Sequence, residues 1–564
     1  MHSSSRWAVA LTSIALLASA PALSAQWQSN TGPAGAVLGA TVGGDVERYG
    51  RALALGGIIK PIAWGARPIG PREIAELVSD SSQVAHPWRR DLMRALTPRA
   101  ALGVVLFTSE NTGFPWGSND GAMWQGRGLT GAIGASATVR WGHFSLIAAP
   151  LLFVAQNTSF PLLAPVVAGA PAIAEPLNPY AVDLPQRMGT SSYSRGDAGE
   201  STLRFDAGGV TAGITTASLG WGAGEAFPAI FGANAGGFPH VFVGTSARGI
   251  RIGDLGRVTG RYVLGVLEQS EWSPVQGSST FKDRTESGTR RVGVGVSASF
   301  MPGALPNLEL GVSRFYHSPY RDAASRWSAW SKPFEALYKV NFIGRTGGAG
   351  DPGGDADNQL ASIYARWAFP SRGAEATIEI LRDDHNFDAR DLAQEPENNS
   401  AVLASIRAVT ERTSDRLSVL TFEYFDGDVR PIAQARAQAF LYANSLLRQG
   451  HTLRGQLLGT PIGAGAIAGE RVAWERFTKD GSLRVNLQRW RTRALPSDDP
   501  ELLFRQPGQP APNNHDFIID AGVAKTTYRG TQALTAEIGV AWAGVWQFDG
   551  SRTNLYSRLS WSVF

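Results

Sequence analysis

Residues 119–157 read NDGAMWQGRGLTGAIGASATVRWGHFSLIAAPLLFVAQN. An extended run over residues 129–140 meets a second run, over residues 143–155, at the corner Trp141-Gly142. Two extended runs joined by so short a corner predict a β-hairpin. Each arm exceeds the about 5–6 residues of an ordinary strand and reaches the ~9–11 residues that a tilted strand needs to cross a bilayer. Pro150 counts against an unbroken second arm, because proline cannot donate to a ladder.

The composition is typical of a transmembrane barrel rather than of a helical membrane protein. The chain has 564 residues, of which 43% are hydrophobic, and a mean hydropathy of −0.10. Only every second residue of a barrel strand meets lipid, so such a chain stays fairly polar. The length alone would suggest several soluble domains, but no linker divides the chain. The absence of cysteine excludes thiolate metal sites, thiol catalysis and disulfides.

The first 25 residues predict a secretory signal peptide. Arg6 supplies the positive start, residues 8–20 are apolar, and small residues up to Ala25 offer a cleavage site. The alternative is a membrane anchor, but the apolar run is short and ends at Pro21. After this segment no run approaches the ~18 apolar residues of a spanning helix, so a membrane location requires a barrel.

Residues 26–100 predict a small, mostly helical domain. Helical spacing of apolar residues occurs over residues 46–55, and residues 71–78 start with a proline at the first turn. A third short helix fits residues 86–96. We predict that this domain lies in the periplasm. The alternative is a loop region that precedes the barrel.

Residues 101–564 predict an all-β transmembrane antiparallel barrel. The sequence period changes to two, and about 460 residues at ~25 per strand and connection give about 18 strands. Connections alternate between tight, as at residues 370–373 and 529–531, and long, as at residues 156–200. Outer-membrane barrels have short periplasmic turns and long external loops, so this alternation indicates the orientation. The chain ends at Phe564, as many such barrels do, although Leu559, Trp561 and Val563 occupy the opposite face.

The chain contains no motif for a known catalytic or metal chemistry. There is no HExxH, G-x-S-x-G or Walker loop, and the eight histidines have no ligand spacing. Acidic clusters over residues 351–358 and 383–391 offer oxygen ligands for a divalent cation, but they lack EF-hand spacing and we interpret them as solvated loops. We therefore expect no catalytic residues, no metal, no cofactor and no nucleic-acid partner.

Tryptophan and arginine residues recur near polar loop positions. Aromatic faces beside arginine and carboxylate groups suit sugar rings, and arginine also pairs with anionic polysaccharide. The alternative for any single tryptophan is an aromatic girdle at the membrane interface. The tryptophans concerned are Trp116, Trp124, Trp221, Trp272, Trp327 and Trp330.

An ordered set of short blocks carries a family resemblance. The blocks are residues 68–73 (PIGPRE), 111–116 (NTGFPW), 119–128 (NDGAMWQGRG), 221–224 (WGAG), 237–240 (GFPH), 382–385 (RDDH) with 391–392 (DL), and 453–463 (LRGQLLGTPIG). In this order the chain resembles the capsule assembly Wzi family over most of its length after the signal peptide.

The resemblance implies an outer-membrane barrel of about 18 strands with a periplasmic helical domain, surface-exposed loops and a non-enzymatic, lectin-like role. Its implied partners are capsular or exported polysaccharide, outer-membrane lipid and the barrel-assembly machinery. An open porin or transporter is the main alternative, and an outer-membrane hydrolase is a third. We take the polar and aromatic members of the blocks as candidate polysaccharide-binding residues: Trp116, Asp120, Trp124, Arg127, Trp221, His240, Asp384, His385 and Arg454.

Overall fold

The computed structural model describes most of the chain after residue 30. The described residues are 31–80, 84–165, 167–176, 179–273, 290–320, 329–334, 357–383, 389–394, 396, 399–427, 441–444, 447–493, 516–545 and 551–564. Within them no helix is long and apolar enough to cross a membrane.

In the described part of the chain, 18 antiparallel strands form a closed barrel, which confirms the predicted fold class. The strands are β1 (Ala100–Asn111), β2 (Gly128–Trp141), β3 (Phe144–Ala148 and Leu151–Ala155), β4 (Tyr193–Asp197 and Thr202–Ala207), β5 (Val210–Thr215), β6 (His240–Thr245 and Ile250–Ile252), β7 (Gly256–Glu268), β8 (Arg290–Pro302), β9 (Leu308–Pro319), β10 (Asn358–Phe369), β11 (Ala374–Asp383), β12 (Ser400–Arg412), β13 (Arg416–Gly427), β14 (Ala466–Thr478), β15 (Gly481–Arg493), β16 (Asp516–Arg529), β17 (Gln532–Val545) and β18 (Arg552–Val563). Strand β18 pairs with β1, which closes the wall.

The opening hairpin is one repeat of this wall. Strand β2 pairs with both segments of β3, and Gly142 makes the corner with a φ of 48°. Strand β3 is interrupted at Ala149 and Pro150. The interruption is expected, because proline cannot donate a hydrogen bond to the ladder. The Pro150 carbonyl still accepts the Ala135 amide at 3.2 Å, so the interruption leaves the two strands together.

Side chains alternate between an apolar outer face and a polar inner face. Outward residues such as Leu102, Ile363 and Ile406 are exposed at 77%, 59% and 60%, whereas inward charges such as Arg366 and Glu423 are buried. This is the alternation that a lipid-facing wall requires. The short connections lie at one end of the barrel, which we call the short-turn end, and the long loops lie at the other, the long-loop end.

Three helices pack into the short-turn end of the barrel. They are α1 (Asp45–Leu55), α2 (Pro71–Asp80) and α3 (Arg89–Leu96). Helix α2 begins at the proline that the sequence indicated, and Glu73 caps its start by accepting the Gly70 amide at 3.0 Å. The helices share one apolar core with inward residues of the wall, among them Leu417, Phe477 and Tyr528.

The helical segment and the wall are joined by specific polar contacts. Trp88 of the α3 start donates Nε1 to the Thr478 carbonyl at 3.0 Å, and Glu309 of the wall accepts the amides of Trp64 and Gly65 at 3.1 Å. The segment therefore fills the short-turn end of the lumen rather than forming a separate body. The wall begins directly after the helical segment, at Ala100 of β1.

Residues 216–239, between β5 and β6, fold inward and fill the middle of the lumen. Glu423 of β13 accepts the amides of Glu225, Ala226 and Phe227 at 3.0, 2.9 and 2.6 Å. Burial alone would raise the pKa of the Glu225 carboxylate. The arginines beside it outweigh burial, Arg407 most strongly, and hold this pKa well below the usual range. Buried charges are tolerated only when they are paired in this way.

The structure at the end of the last strand explains why Phe564 lies on the face opposite to Leu559, Trp561 and Val563. Trp561 and Val563 face outward, and Ser562 faces inward and is buried. Phe564 packs against a cluster in which Val37 and Leu38 of the N-terminal segment meet Ile147 and Ala149, and against a second cluster on the inner wall. The terminal aromatic therefore shares the inward face because it packs between the N-terminal segment and the inner wall.

Candidate functional site

A loop segment crosses the barrel at the long-loop end. His451 donates Nε2 to the Ile230 carbonyl at 2.7 Å, and Tyr442 donates its hydroxyl to the Ala229 carbonyl at 2.6 Å. Arg291 of the wall donates to the carbonyls of Gly450 and Thr452, each at 2.6 Å. We call residues 441–444 and 447–465 the strap. Burial lowers the pKa of His451 to about 4, so this histidine is a neutral part of the packing.

A cavity of about 310 Å³ opens at the long-loop end, between the strap and the ends of β4, β7 and β8. Its lining is aromatic and strongly polar, with three arginines and two glutamates. The lining residues are Tyr193, Arg195, Glu268, Gln269, Ser270, Glu271, Trp272, Arg290 and Arg454. We call this the mouth cavity.

The aromatic corner of the mouth cavity is held by a buried carboxylate. The rings of Tyr193 and Trp272 meet edge to face with centroids 5.2 Å apart. The Trp272 amide donates to Ser270 Oγ at 3.2 Å, and Ser270 donates its own amide and hydroxyl to Asp183, each at 2.6 Å. Burial raises the pKa of Asp183 against the opposing effect of these hydrogen bonds. The indole is thus positioned before any ligand arrives.

The charged side of the cavity is a chain of ion pairs. Arg454 Nη1 lies 2.8 Å from Asp197 Oδ2, and Arg454 Nη2 lies 2.9 Å from Glu268 Oε2. Arg290 Nη2 lies 3.5 Å from the second oxygen of Glu268. The Arg454 backbone has a φ of 49°, which shows that the strap turns sharply there. Partly exposed, pre-oriented guanidinium and carboxylate groups beside an aromatic face are suited to hydroxyl and carboxylate groups of a saccharide.

Three residues predicted from the sequence lie at or near this end. Arg454 lines the mouth cavity. Trp124 has its ring 6.3 Å from that of Tyr193, one side chain behind the cavity. Arg127 donates to the carbonyls of Thr112 and Ser159 at 3.0 and 2.5 Å, so it ties two loops together.

Four other predicted residues are buried in the lumen packing. Trp116 donates Nε1 to Asp520 at 3.1 Å, Trp221 packs against Phe231, and His240 contacts the Phe238 carbonyl through Nδ1 at 2.8 Å. Asp120 is buried as well. A sugar-binding role for these four residues stays a prediction. Asp384 and His385 lie outside the described residues.

The sequence candidates missed most of the mouth cavity. Trp272 is in the wider tryptophan set, but Tyr193, Arg195, Glu268 and Arg290 belong to no motif of the sequence. Their one sequence signal is position, because each lies close to the point where a long loop meets a strand. Among the described residues, no group of three or more histidine, aspartate or glutamate side chains is arranged to hold a metal ion.

The fold and the site together define a class: a closed barrel whose lumen is filled by its own N-terminal helices and loops. The model of the family of capsule assembly protein Wzi matches residues 123–551, more than half of the chain, and the chain belongs to this family. No curated protein matches the chain.

Solved structures give the same fold. Wzi of Escherichia coli has a TM-score of 0.60 and 14% identity, over 93% of this chain and 99% of that one. That protein is an outer membrane protein involved in group 1 capsule assembly and a carbohydrate-binding β-barrel. OccK7 of Pseudomonas aeruginosa (TM-score 0.37, 11% identity, 83% and 99% covered) and a BenF-like porin of Pseudomonas fluorescens (0.38, 8%, 82% and 97%) are more distant. Scores this low carry no argument about function.

Proposed function

We propose that this chain is a non-enzymatic outer-membrane barrel that binds capsular or exported polysaccharide and holds it at the cell surface. The mouth cavity carries the proposal, because it combines a fixed indole face with exposed arginine and glutamate groups at the long-loop end. Membership of the Wzi family and the fold shared with the carbohydrate-binding barrel of E. coli support it.

The proposal includes an orientation. The long loops and the mouth cavity face outward, and the short turns and the helices α1–α3 lie on the periplasmic side. The lengths of the connections support this, since outer-membrane barrels have short periplasmic turns. Because the chain has no cysteine, single substitutions test it directly. A membrane-impermeant maleimide is expected to label Glu271→Cys on intact cells and to leave Arg372→Cys unlabelled. The reverse pattern would show that the barrel has the opposite orientation.

A deletion strain tests the function. Cells that lack the protein are expected to release polysaccharide that the parent strain keeps bound, with total polysaccharide unchanged. A plasmid copy of the wild type restores the bound fraction, whereas Trp272→Ala restores little of it. An unchanged bound fraction in the deletion strain would end the anchoring hypothesis. A fall in total polysaccharide would indicate a role in synthesis or export instead.

A further inference from the structure

The outer wall carries a pair of cations at the short-turn end, on neighbouring strands β14–β16. Arg476 of β14 and Lys525 of β16 belong to the outward set, because Val472 and Val523 on the same faces are exposed at 43% and 44%. Charges on a lipid-facing wall are costly at the membrane centre and inexpensive near its surface. Both residues lie within a few positions of a short turn, so they lie at the height of the headgroups.

The strand register sets the distance between the two cations. Arg476 faces Leu483 of β15, and Leu483 faces Lys525. Neighbouring strands are about 4.8 Å apart, so the two positions are separated by about 10 Å across a single leucine. The Arg476 side chain lies on the β13 side of its strand, where it contacts Ser418 and Glu411. Turned toward β15, it reaches, together with Lys525, a group of phosphate size placed over Leu483.

The next row toward the membrane centre is apolar. Trp474, Val485 and Val523 are paired across the same three strands. The Arg476 guanidinium lies over the Trp474 ring at 4.8 Å, at the boundary between the charged and apolar rows. A charged row next to an apolar row matches a phospholipid, whose phosphate lies beside the start of its acyl chains.

The charge balance of the pair is positive. Glu411 Oε2 lies 3.3 Å from Arg476 Nη2, and Ser418 Oγ accepts Arg476 Nε at 3.3 Å. Glu411 also pairs with Arg416 at 3.6 Å, so it is shared between two arginines. Among the described residues Lys525 has no carboxylate partner. The pair therefore keeps net positive charge for a ligand.

We propose that Arg476 and Lys525 form a binding site for the phosphate of an anionic phospholipid in the leaflet at the short-turn end, with the acyl chains along the Trp474 row. The site is separate from polysaccharide binding and depends only on the barrel crossing the membrane. The lipid would bind the outer side of strands β14–β16, and the N-terminal helices contact the inner side of the same strands.

Native mass spectrometry of the full-length protein tests the site. The barrel is exchanged into micelles with equal amounts of phosphatidylglycerol and phosphatidylcholine, and the retained lipid is counted. We expect the wild type to retain phosphatidylglycerol about tenfold in preference. Arg476→Gln with Lys525→Gln is expected to bring the two lipids close to parity. The control, Arg99→Gln with Arg372→Gln, removes two exposed cations of the same end that lie away from the pair and keeps the preference.

Two outcomes would overturn the proposal. They are equal retention of both lipids by the wild type and an unchanged preference in the double variant. Heat-modifiable migration confirms that each variant is folded. Lys525→Gln alone changes a single exposed side chain and is expected to fold. It therefore tests the proposal even if the double variant fails to fold. It is expected to reduce the preference several-fold.

Discussion

Glu423 is the residue whose side chain fixes the inner filling to the wall. Its carboxylate accepts three consecutive amides of the 216–239 segment, and it is buried. Glu423→Ala leaves these amides without acceptors, so we expect a loss of about 3 kcal/mol in stability. Urea unfolding in detergent, followed by tryptophan fluorescence, measures it. Glu470→Gln removes a partly exposed ion pair on the outer face and is expected to cost less than about 1 kcal/mol. Equal losses would contradict the account.

His86 makes the docking of the helices depend on pH. Its Nδ1 lies 2.7 Å from the Tyr49 hydroxyl, and burial, aided by the charge of Arg89, lowers its pKa to about 4. The unfolded chain takes up this proton near pH 6.5, so protons favour the undocked state between pH 6.5 and 4. Stability is therefore complete above pH 6.5, decreases as the pH falls from 6.5 to 4, and is not lowered further by this histidine below pH 4.

Hydrogen exchange of helices α1 and α3 measures this effect. We expect their protection to fall between pH 6.5 and 4, after correction for the intrinsic pH dependence of exchange. His86→Gln keeps an acceptor for the tyrosine and removes the titration, so its protection is expected to stay level. A wild type without any decrease would show that this histidine does not govern docking.

Individual site residues were the hardest feature to predict. Tryptophan beside glycine and polar residues has the same local pattern whether it lines a mouth, as Trp272 does, or packs a lumen, as Trp116 and Trp221 do. The difference arises from loops hundreds of residues apart that meet inside the barrel. Arg454 was found because it lies in a distinctive block, but its partners Asp197 and Glu268 could not be read from sequence.

At the scale of elements, helix α3 is held mainly by aromatic packing. Trp88, at its start, is fully buried, stacks on Tyr49 with centroids 4.2 Å apart, and meets Phe477 and Tyr528 edge to face. Trp88→Ala leaves a cavity among these rings, and we expect it to cost about 3–5 kcal/mol. Hydrogen exchange is expected to increase in α1 and α3, while heat-modifiable migration persists because the wall keeps its ladders. Unchanged exchange would show that the helices dock by other contacts.

The elements themselves were largely predictable. A proline at the first turn marked α2, two-residue periodicity marked the wall, and the tight corners marked the short-turn end. These signals are local, so one sequence contains them. The inward folding of residues 216–239 and of the strap was not predictable, since glycine-rich loops carry no period. Their positions are set by distant hydrogen-bond partners, such as Glu423, which accepts from the loop, and Arg291, which donates to the strap.

At the scale of the whole molecule, the filled lumen distinguishes this barrel from an open pore. The helices occupy one end, the 216–239 segment the middle, and the strap the other end. We therefore expect single-channel recordings of the purified protein in planar bilayers to show no steady large conductance. Ions need a continuous aqueous path, and the buried ion pairs of the described residues occupy that path. A stable open channel in the wild type would favour the porin alternative.

The most direct test of the account is equilibrium binding of the purified barrel to purified capsular or exported polysaccharide from its own strain. The wild type is expected to bind, and Trp272→Ala to bind at least about tenfold more weakly. Central tryptophans are frequent hot spots, and a tenfold change corresponds to about 1.4 kcal/mol. Trp330→Ala removes an exposed tryptophan outside the mouth cavity and is expected to bind like the wild type. No binding by the wild type, or equal binding by both variants, would contradict the assignment of the mouth cavity.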